Sequence, residues 1–193
     1  MKLVFFDVET GGLDPSRHAI IQIAAIAVDR KSLEEVERFE CKIQFPESAV
    51  DAEALEVNSY DSDLWSKEAV NPVLAEKKFS AFLNRHATRE CVSKRGNTYF
   101  TSEGVAHNSS FDMAFLKAWY ARRGVFMPMY PAAFCTLQLA RWVYFSRVDS
   151  PENFRLETLA HHLGIWSSGD EYHDALADVV ATVEVTRKLL NIL

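Results

Sequence analysis

Two apolar runs near the N-terminus constrain the fold more than any other feature of the sequence. Residues 2–8 and 20–28 are short and rich in β-branched and aromatic side chains, as buried strands are. Gly11-Gly12-Leu13-Asp14-Pro15, which lies between them, is typical of a turn. Residues 36–45 alternate apolar and polar side chains and predict a third strand with one solvated face. The chain therefore begins as a β-sheet, which excludes a helical bundle.

Helical patterns and one hairpin follow the three strands. Asn71-Pro72 predicts an N-cap and first residue for a helix that extends to about His86. Arg95-Gly96-Asn97 predicts the tip of an extra hairpin near residues 90–105, which leads into a strand ending near Ala106. The apolar residues of the first helix that we expect to be buried are Val73, Leu74, Phe79, Phe82 and Leu83.

Further helices are predicted in the second half of the chain. One runs to Arg123, with Ser109 or Ser110 as its N-cap and Gly124 after its last residue. The others cover residues 136–145, 155–163 and 173–190. Strands that alternate with helices indicate an α/β layer fold. The sequence shows no linker, so we expect residues 1–193 to form a single domain.

Charge is distributed unevenly along the 193 residues, whose net charge is −6. Residues 31–71 contain 4 basic and 11 acidic side chains, whereas residues 72–160 contain 12 basic and 7 acidic ones. The acidic total argues against a simple electrostatic nucleic-acid binder but permits an enzyme that meets nucleic acid through bound metal. Were the ligand a nucleic acid, its backbone would be expected to pass over the basic residues 72–160, away from the acids of residues 31–71.

Cysteine content and apolar run length bear on the compartment. Cys41, Cys91 and Cys135 are odd in number and lack zinc-site spacing, which favours free thiols in a reducing compartment such as the cytoplasm. The longest uncharged run, between Arg123 and Arg141, is shorter than the ~20 apolar residues of a membrane span. The N-terminus lacks the apolar core of a signal peptide. We therefore expect no membrane association.

The first motif that could carry chemistry is Asp7-Val8-Glu9-Thr10, at the end of the first predicted strand. Side chains two residues apart on a strand point to the same side, so Asp7 and Glu9 can face one point in space. Adjacent carboxylates repel each other unless a cation lies between them, and oxygen ligands suit Mg²⁺ or Mn²⁺. The alternative is a pair of solvated carboxylates at a strand end.

Two further motifs lie at predicted helix starts: His107-Asn108-Ser109-Ser110-Phe111-Asp112 and His173-Asp174-Ala175-Leu176-Ala177-Asp178. An Asp in a first helical turn could simply favour the helix dipole. His173 and Asp178 differ by about 140° around a helix axis, so we expect His173 to precede the regular helix and reach over the site that Asp178 faces. The alternative is a capping His and a solvated Asp.

Taken in this order, the three motifs resemble those of the DEDDh branch of the DEDD 3′–5′ exonuclease superfamily. That branch includes polymerase proofreading subunits, oligoribonuclease and ribonuclease T, and the resemblance extends from Lys2 to about Leu190. A sister branch has Tyr four residues before the last Asp, where this chain has Asp174. The resemblance implies a ribonuclease H-like fold, with a five-stranded mixed sheet flanked by helices. The hairpin predicted near 90–105 would be an addition to that fold.

The resemblance also implies site residues. Four carboxylates would hold two divalent ions, Mg²⁺ or Mn²⁺, and His173 would be the general base; the four are Asp7, Glu9, Asp112 and Asp178. The reaction implied is release of 5′ mononucleotides from the 3′ end of single-stranded DNA or RNA. Residues that would contact the terminal nucleotide or line its cleft are Thr10, Leu13, His107, Asn108 and Phe111. For Phe111 we favour core packing, and for Leu13, at an exposed turn, substrate contact.

Two alternatives to a free-standing exonuclease remain open. One is a proofreading-type subunit docked on a DNA polymerase, and the other is an inactive relative that only binds nucleic acid. A homo-oligomer is also possible. The sequence does not distinguish DNA from RNA, and therefore does not separate roles in DNA repair from RNA processing.

Overall fold

The N-terminal strands form an antiparallel meander in the computed structural model, which describes residues 1–58, 60–165 and 174–192. β1 (Lys2–Thr10) pairs with β2 (Ile20–Asp29), with Asp7 opposite Ala24. β3 (Glu35–Lys42) pairs with the other side of β2 and ends three residues before the predicted boundary. The predicted order of three strands is thus confirmed.

Two parallel strands complete the sheet. β6 (Gly104–Ala106) pairs with the free side of β1, and β7 (Phe134–Cys135) pairs with β6. The strand order is β3-β2-β1-β6-β7, a five-stranded mixed sheet as predicted. β1 is the central strand, so side chains at its end lie at the middle of the sheet edge. β7 was not predicted because two residues give no periodicity.

Seven helices are described, and they flank the sheet. Their bounds are α1 (Ala52–Val57), α2 (Ser62–Glu68), α3 (Pro72–Arg85), α4 (Ser109–Arg123), α5 (Thr136–Tyr144), α6 (Leu156–His162) and α7 (Ala175–Ile192). The five helices that the sequence predicts correspond to α3 to α7 and are confirmed. The sequence did not predict α1 and α2, which lie in the acidic stretch. Among the described helices, none combines the length and apolar character that a membrane crossing needs.

β1 is buried on both faces, and its alternation decides where the site lies. Phe6 packs in a cluster with Phe79 of α3 and Phe115 of α4. Phe5, which points the opposite way, packs with Val179 and Val183 of α7. Because Asp7 and Glu9 share the side of Phe5, the strand directs both carboxylates toward α7.

Two sequence predictions about α3 were wrong. Val73 and Leu74 are 47% and 41% exposed. The face that meets the core is instead formed by Ala75, Phe79, Phe82 and Leu83, all of them buried. Val73 and Leu74 lie on other sides of the first turn because a helix rotates about 100° per residue. The predicted N-cap is confirmed, since Asn71 Oδ1 accepts from the backbone N–H of Leu74 at 2.9 Å.

The start of α4 also differs from the prediction. Its N-cap is Asn108, in the left-handed conformation with φ 60° and ψ 45°, and no side chain caps the helix there. Ser109 is the first helical residue, and Ser110 Oγ donates to Asn108 Oδ1. The chain must turn from β6 into α4 within two residues, and Asn tolerates the left-handed geometry that this requires. Gly124 ends the helix as predicted, with φ 63°.

The extra hairpin is confirmed as a separate two-stranded sheet. It consists of β4 (Arg89–Val92) and β5 (Thr98–Thr101), with Gly96 at positive φ in the tip. Buried Glu103 accepts hydrogen bonds from Arg89 at 2.6 Å and from Arg30 at 2.5 Å. This shared carboxylate ties the hairpin base to the end of β2.

Candidate active site

Three of the four predicted acids meet where β1 ends. Asp7 and Glu9 project from β1, and Asp178 projects from the first turn of α7. One carboxylate oxygen from each lies within 4.8 Å of the others. Residues from opposite ends of the chain therefore form one cluster, because α7 packs across β1 and β2.

The fourth acid, Asp112, approaches the cluster from α4. It is 3% exposed, and its Oδ1 accepts from the backbone N–H of Val8 at 3.3 Å. This bond places the carboxylate beside β1, next to the residues that carry Asp7 and Glu9. The sequence motif alone left open the alternative that Asp112 only interacts with the helix dipole. A residue with that role alone would be expected to be solvated, whereas Asp112 is buried against β1.

Burial and mutual repulsion disfavour ionisation of all four acids. Burial, reinforced by the charges of Asp178, Asp112 and Asp174, raises the pKa of Glu9 to about 8. Burial also raises the pKa of Asp112 to about 7, although backbone N–H groups oppose this shift. The pKa of Asp178 rises to about 7 through burial and then through the charges of Asp174 and Glu157. Burial and the neighbouring acids raise the pKa of Asp7 well above its ordinary range.

This donor set fits hard divalent cations. Oxygen ligands of one Mg²⁺ or Mn²⁺ stand about 2 Å from the ion, so they lie within roughly 4–5 Å of each other. The oxygens of Asp7, Glu9 and Asp178 meet that requirement. A cation among them would also relieve the repulsion that raises their pKa values. The residues present therefore suit a metal centre.

The expected general base, His173, lies outside the described residues. The next residue, Asp174, caps α7: its Oδ1 accepts from the backbone N–H groups of Leu176 and Ala177, both at 3.1 Å. The Gln22 side chain on β2 donates to Asp174 Oδ2 at 3.2 Å. Sequence reasoning assigned no role to Gln22 or Asp174. A lone amide within the apolar run 20–28 was the available indication.

A first cleft, of about 560 Å³, adjoins Glu9 and contains three of the predicted substrate-contact residues. Thr10 is buried and its Oγ1 donates to the carbonyl of Gly12 at 2.8 Å. Leu13 is 84% exposed at the rim. Phe111 lines the cleft and packs against the core, and this packing is what the sequence favoured for it. We call this space the turn cleft.

Two acids of the 31–71 stretch also line the turn cleft. Asp51 and Glu53 form its far wall. The expectation that these acids stay away from the site is therefore wrong on this side. The reason is that the segment before α1 packs against the turn: the backbone N–H of Asp51 donates to the carbonyl of Gly11 at 2.7 Å.

A second cleft, of about 710 Å³, adjoins Asp178. We call it the arginine cleft; its walls include His107, Asn108, Arg141, Asn153 and Arg155. All five belong to the basic stretch 72–160, over which a nucleic-acid backbone would be expected to pass. The resemblance implied that His107, Asn108 and Phe111 line one cleft, but Phe111 lines the turn cleft instead. The turn cleft thus adjoins Glu9, and the arginine cleft adjoins Asp178.

His107 holds the wall of the arginine cleft together. Its Nδ1 lies 2.9 Å from Thr136 Oγ1, and its Nε2 lies 2.9 Å from the carbonyl oxygen of Phe154. Burial lowers the pKa of this imidazole. Because both ring nitrogens have protein partners, the ring connects the start of α5 to the loop before α6.

Comparison with known proteins shows which family this chain and its fold resemble. An exonuclease family model, RNase_T, matches residues 4–93 and 84–186. Ribonuclease T of Haemophilus ducreyi is 30% identical over 196 aligned positions, which cover 97% of this chain and 84% of that protein. A PolC-type DNA polymerase III of Bacillus cereus is 30% identical over 189 residues, or 97% of this chain. The chain spans only 11% of that polymerase.

Solved structures share the fold at lower identity. Exonuclease I from Methylocaldum szegediense superposes with a TM-score of 0.75 at 20% identity, covering 98% of this chain and 40% of that one. E. coli exonuclease I in complex with a dT13 oligonucleotide gives 0.74 at 20% identity, covering 98% and 41%. The chain belongs to the RNase_T exonuclease family, within the DEDD superfamily of 3′–5′ exonucleases.

Proposed function

We propose that this chain is a metal-dependent 3′–5′ exonuclease. It would hydrolyse phosphodiester bonds from the 3′ end of single-stranded DNA or RNA and release 5′ mononucleotides. The observation that carries this proposal is the convergence of Asp7, Glu9 and Asp178 within 4.8 Å, with Asp112 buried beside them, in a chain of the exonuclease family.

The four carboxylates have a single proposed task, which is to hold two divalent ions, Mg²⁺ or Mn²⁺. When bound, such ions supply an activated water and neutralise charge on the attacking and leaving oxygens of a phosphodiester. Asp112 is aligned for this task by its bond to the Val8 N–H. The turn cleft reaches Glu9, and the arginine cleft reaches Asp178.

His173 is our proposed general base, which takes the proton from the attacking water. Imidazole suits this task because its ordinary pKa lies near neutrality. The assignment rests on the third motif, in which His173 stands five residues before Asp178. The Asp174 cap and its bond to Gln22 support the assignment indirectly, since they fix the start of the helix that follows His173.

The turn cleft is the proposed place of the terminal nucleotide. An exposed Leu13 at its rim can wedge against an unpaired base, and Phe111 offers an aromatic wall. Stacking of this kind tolerates any base, at roughly 1–3 kcal/mol per base. Thr10 lines the same cleft, while His107 and Asn108 would act from the arginine cleft. Exonuclease I has been crystallised with a dT13 oligonucleotide, which supports a single-stranded substrate here.

A proofreading role is the second candidate. It is favoured by PolC-type polymerases, in which a stretch similar to 97% of this chain occupies 11% of the protein. We further propose that residues 1–193 form one exonuclease domain and that the protein assembles as a homo-oligomer. We also propose a reducing compartment, because the three cysteines are free. An inactive binding relative is disfavoured because all four acids are present at one site.

Digestion of end-labelled strands tests the activity. Single-stranded DNA, single-stranded RNA, duplex DNA and dinucleotides are incubated with Mg²⁺ or Mn²⁺, and stepwise shortening that EDTA stops is expected. Asp7→Ala should reduce activity below detection, whereas Asp63→Ala, which removes an exposed acid on α2, should not. Absence of shortening on every substrate with either metal overturns the proposal.

His173→Ala provides a separate test of the general base. Loss of general-base catalysis should lower kcat by about 10²- to 10⁴-fold. Calorimetric titration with Mn²⁺ should still show binding, because the four carboxylates remain. A near-normal kcat would reject His173 as the base.

A further inference from the structure

Two guanidinium groups in the arginine cleft have no acidic partner among the described residues. Arg141 lies on α5 and Arg155 immediately precedes α6, and both are exposed. Neither forms an ion pair within the described part of the chain, in contrast to Arg38, Arg85 and Arg147, which do. Two cations without an acidic partner in the described ranges, beside a cluster of acids, are electrostatically suited to an anionic ligand that reaches the acids.

An exposed aromatic surface continues the same face of α5. Leu137 and Arg141 line the cleft, and Phe145 follows at the same four-residue interval, so the three lie along one side of the helix. Phe145 is 82% exposed, and Trp142 beside it is 75% exposed, with 6.1 Å between ring centroids. This side extends roughly 12 Å from Leu137 to Phe145.

We infer that this surface binds the single strand on the 5′ side of the terminal nucleotide. Arg141 and Arg155 contact phosphates, and the rings of Trp142 and Phe145 stack on unpaired bases. The inference rests on the proposed function. It follows from continuity: with the terminal nucleotide in the turn cleft, the strand crosses the acids and must leave through the arginine cleft, which Asp178 adjoins.

The charge of the surface favours nucleic acid over a protein partner. Asn108 and Asn153 add neutral hydrogen-bonding groups to the cleft, and Glu157 is the one acid besides Asp178 among its described lining residues. Arginine interleaved with aromatic rings is the combination that single-stranded nucleic acids require, since phosphates and base faces alternate along the strand. An apolar protein interface alone would leave the two guanidinium groups unexplained.

Binding of a fluorescein-labelled thymidylate dodecamer, measured by anisotropy in an Asp7→Asn background that prevents hydrolysis, tests the inference. Arg141→Ala and Arg155→Ala should each weaken binding by about fivefold or more. Each should also lower the slope of log affinity against log salt by about 0.7, the effect of one lost phosphate contact on a single strand. Phe145→Ala and Trp142→Ala should weaken binding by at least about fivefold without changing the slope.

Three controls separate this surface from general charge effects and from misfolding. Arg38→Ala removes one exposed arginine from β3, at the opposite edge of the sheet, and should leave affinity and slope unchanged. Arg141→Lys keeps the charge and should retain most of the affinity. In the active background, cleavage of a dinucleotide should be unchanged in Trp142→Ala and Phe145→Ala, because its one nucleotide on the 5′ side enters the arginine cleft and does not reach these rings.

Unchanged dodecamer affinity in the four variants overturns the inference, and so does an equal loss in Arg38→Ala. A parallel loss of dinucleotide cleavage in Trp142→Ala or Phe145→Ala also overturns it, since these two rings would then act at the reacting end. Failure of the proposed function is a different result: the active-background protein would cleave no substrate, while the binding comparison would remain readable.

Discussion

Asp112 shows how a residue with a proposed metal-binding role can oppose folding. Its carboxylate is 3% exposed, and burial raises its pKa to about 7. Near neutral pH the folded protein must therefore hold this group partly protonated or partly as a buried charge beside three other acids. Either state costs folding free energy relative to the unfolded chain, where the group ionises freely in water.

Asp112→Asn should consequently stabilise the metal-free protein while it removes activity. Asparagine keeps an oxygen that can accept from the Val8 N–H and removes the charge. We expect Tm in EDTA at pH 8 to rise by about 2–4 °C, or about 1 kcal/mol. Stepwise digestion should fall below detection. An unchanged or lower Tm would mean that the buried charge is not a source of instability; Asp63→Asn on α2 is the exposed control.

The proposed substrate contact of Leu13 can be tested without disturbing the core, because its side chain is exposed. At 84% exposed, its side chain contributes little to folding. Leu13→Ser should therefore keep Tm within about 2 °C, since surface changes stay near ±0.5 kcal/mol. The KM for single strands should rise about fivefold or more if the side chain wedges against the terminal base. Val92→Ser, at a 66% exposed position on the hairpin, should change neither quantity.

Among the secondary-structure elements, α7 matters most to the site because its first turn carries Asp178. Asp174 caps the helix through two backbone N–H groups, and Gln22 links this cap to β2. The position of Asp178 relative to Asp7 and Glu9 thus depends on a side chain that is not itself one of the four acids. We therefore expect Gln22 and Asp174 to position the Asp178 carboxylate.

Asp174→Ala should cost about 1 kcal/mol of stability, the typical value of an N-cap. It should also lower kcat, because the first turn of α7 loses its anchor, and Mn²⁺ affinity should fall with it. Asp61→Ala is a matched control: Asp61 caps α2 through the N–H groups of Asp63 and Leu64. It should cost similar stability and leave kcat unchanged. Equal kcat in the two variants would contradict a positioning role.

Helices and strands could be predicted from the sequence where the spacing of apolar residues was regular. β1, β2 and α4 lie in apolar patterns long enough to define a period, and Asn71-Pro72 is a local capping pattern whose geometry α3 reproduces. The α1 and α2 helices have six and seven residues, too few for a period to be recognised among so many acids. Asn108 was missed because its left-handed turn is imposed by the step from β6 to α4.

The same limit applies to the candidate site. Asp7 and Glu9 could be placed on one side from strand alternation alone. The presence of two clefts beside the acids could not be predicted from the sequence. The turn cleft depends on Asp51 and Glu53, which pack beside the turn. The arginine cleft depends on His107, which joins Thr136 to Phe154. Such contacts join residues far apart in the chain, and no local pattern encodes them.

For the whole molecule, the four acids couple stability to pH and to metal. The folded pKa values of Glu9, Asp112 and Asp178, at about 7 to 8, exceed the unfolded values near 4. Between those limits the folded state binds more protons than the unfolded state. The free energy of unfolding of the metal-free protein should therefore fall as pH rises from about 4 to about 8.

Thermal unfolding from pH 5 to pH 9 measures this coupling. In EDTA, Tm should fall as pH rises to about 8. In Mg²⁺ or Mn²⁺ the fall should be smaller or reversed, since a ligand that binds only the folded, ionised cluster stabilises it by mass action. Asp178→Asn should flatten the EDTA profile. A Tm independent of pH in EDTA, with a metal effect equal at pH 5 and pH 8, would contradict the coupling.

The separation of the acids along the sequence has a consequence for partial unfolding. Asp7 and Glu9 lie on β1, whereas Asp178 lies on α7, which must dock on β1 and β2 before the three oxygens meet. A molecule in which α7 has detached from the sheet keeps Asp7 and Glu9 together but holds an incomplete ligand set. A bound divalent ion would therefore oppose detachment of α7, since it would bind tightly only where all of its ligands have come together.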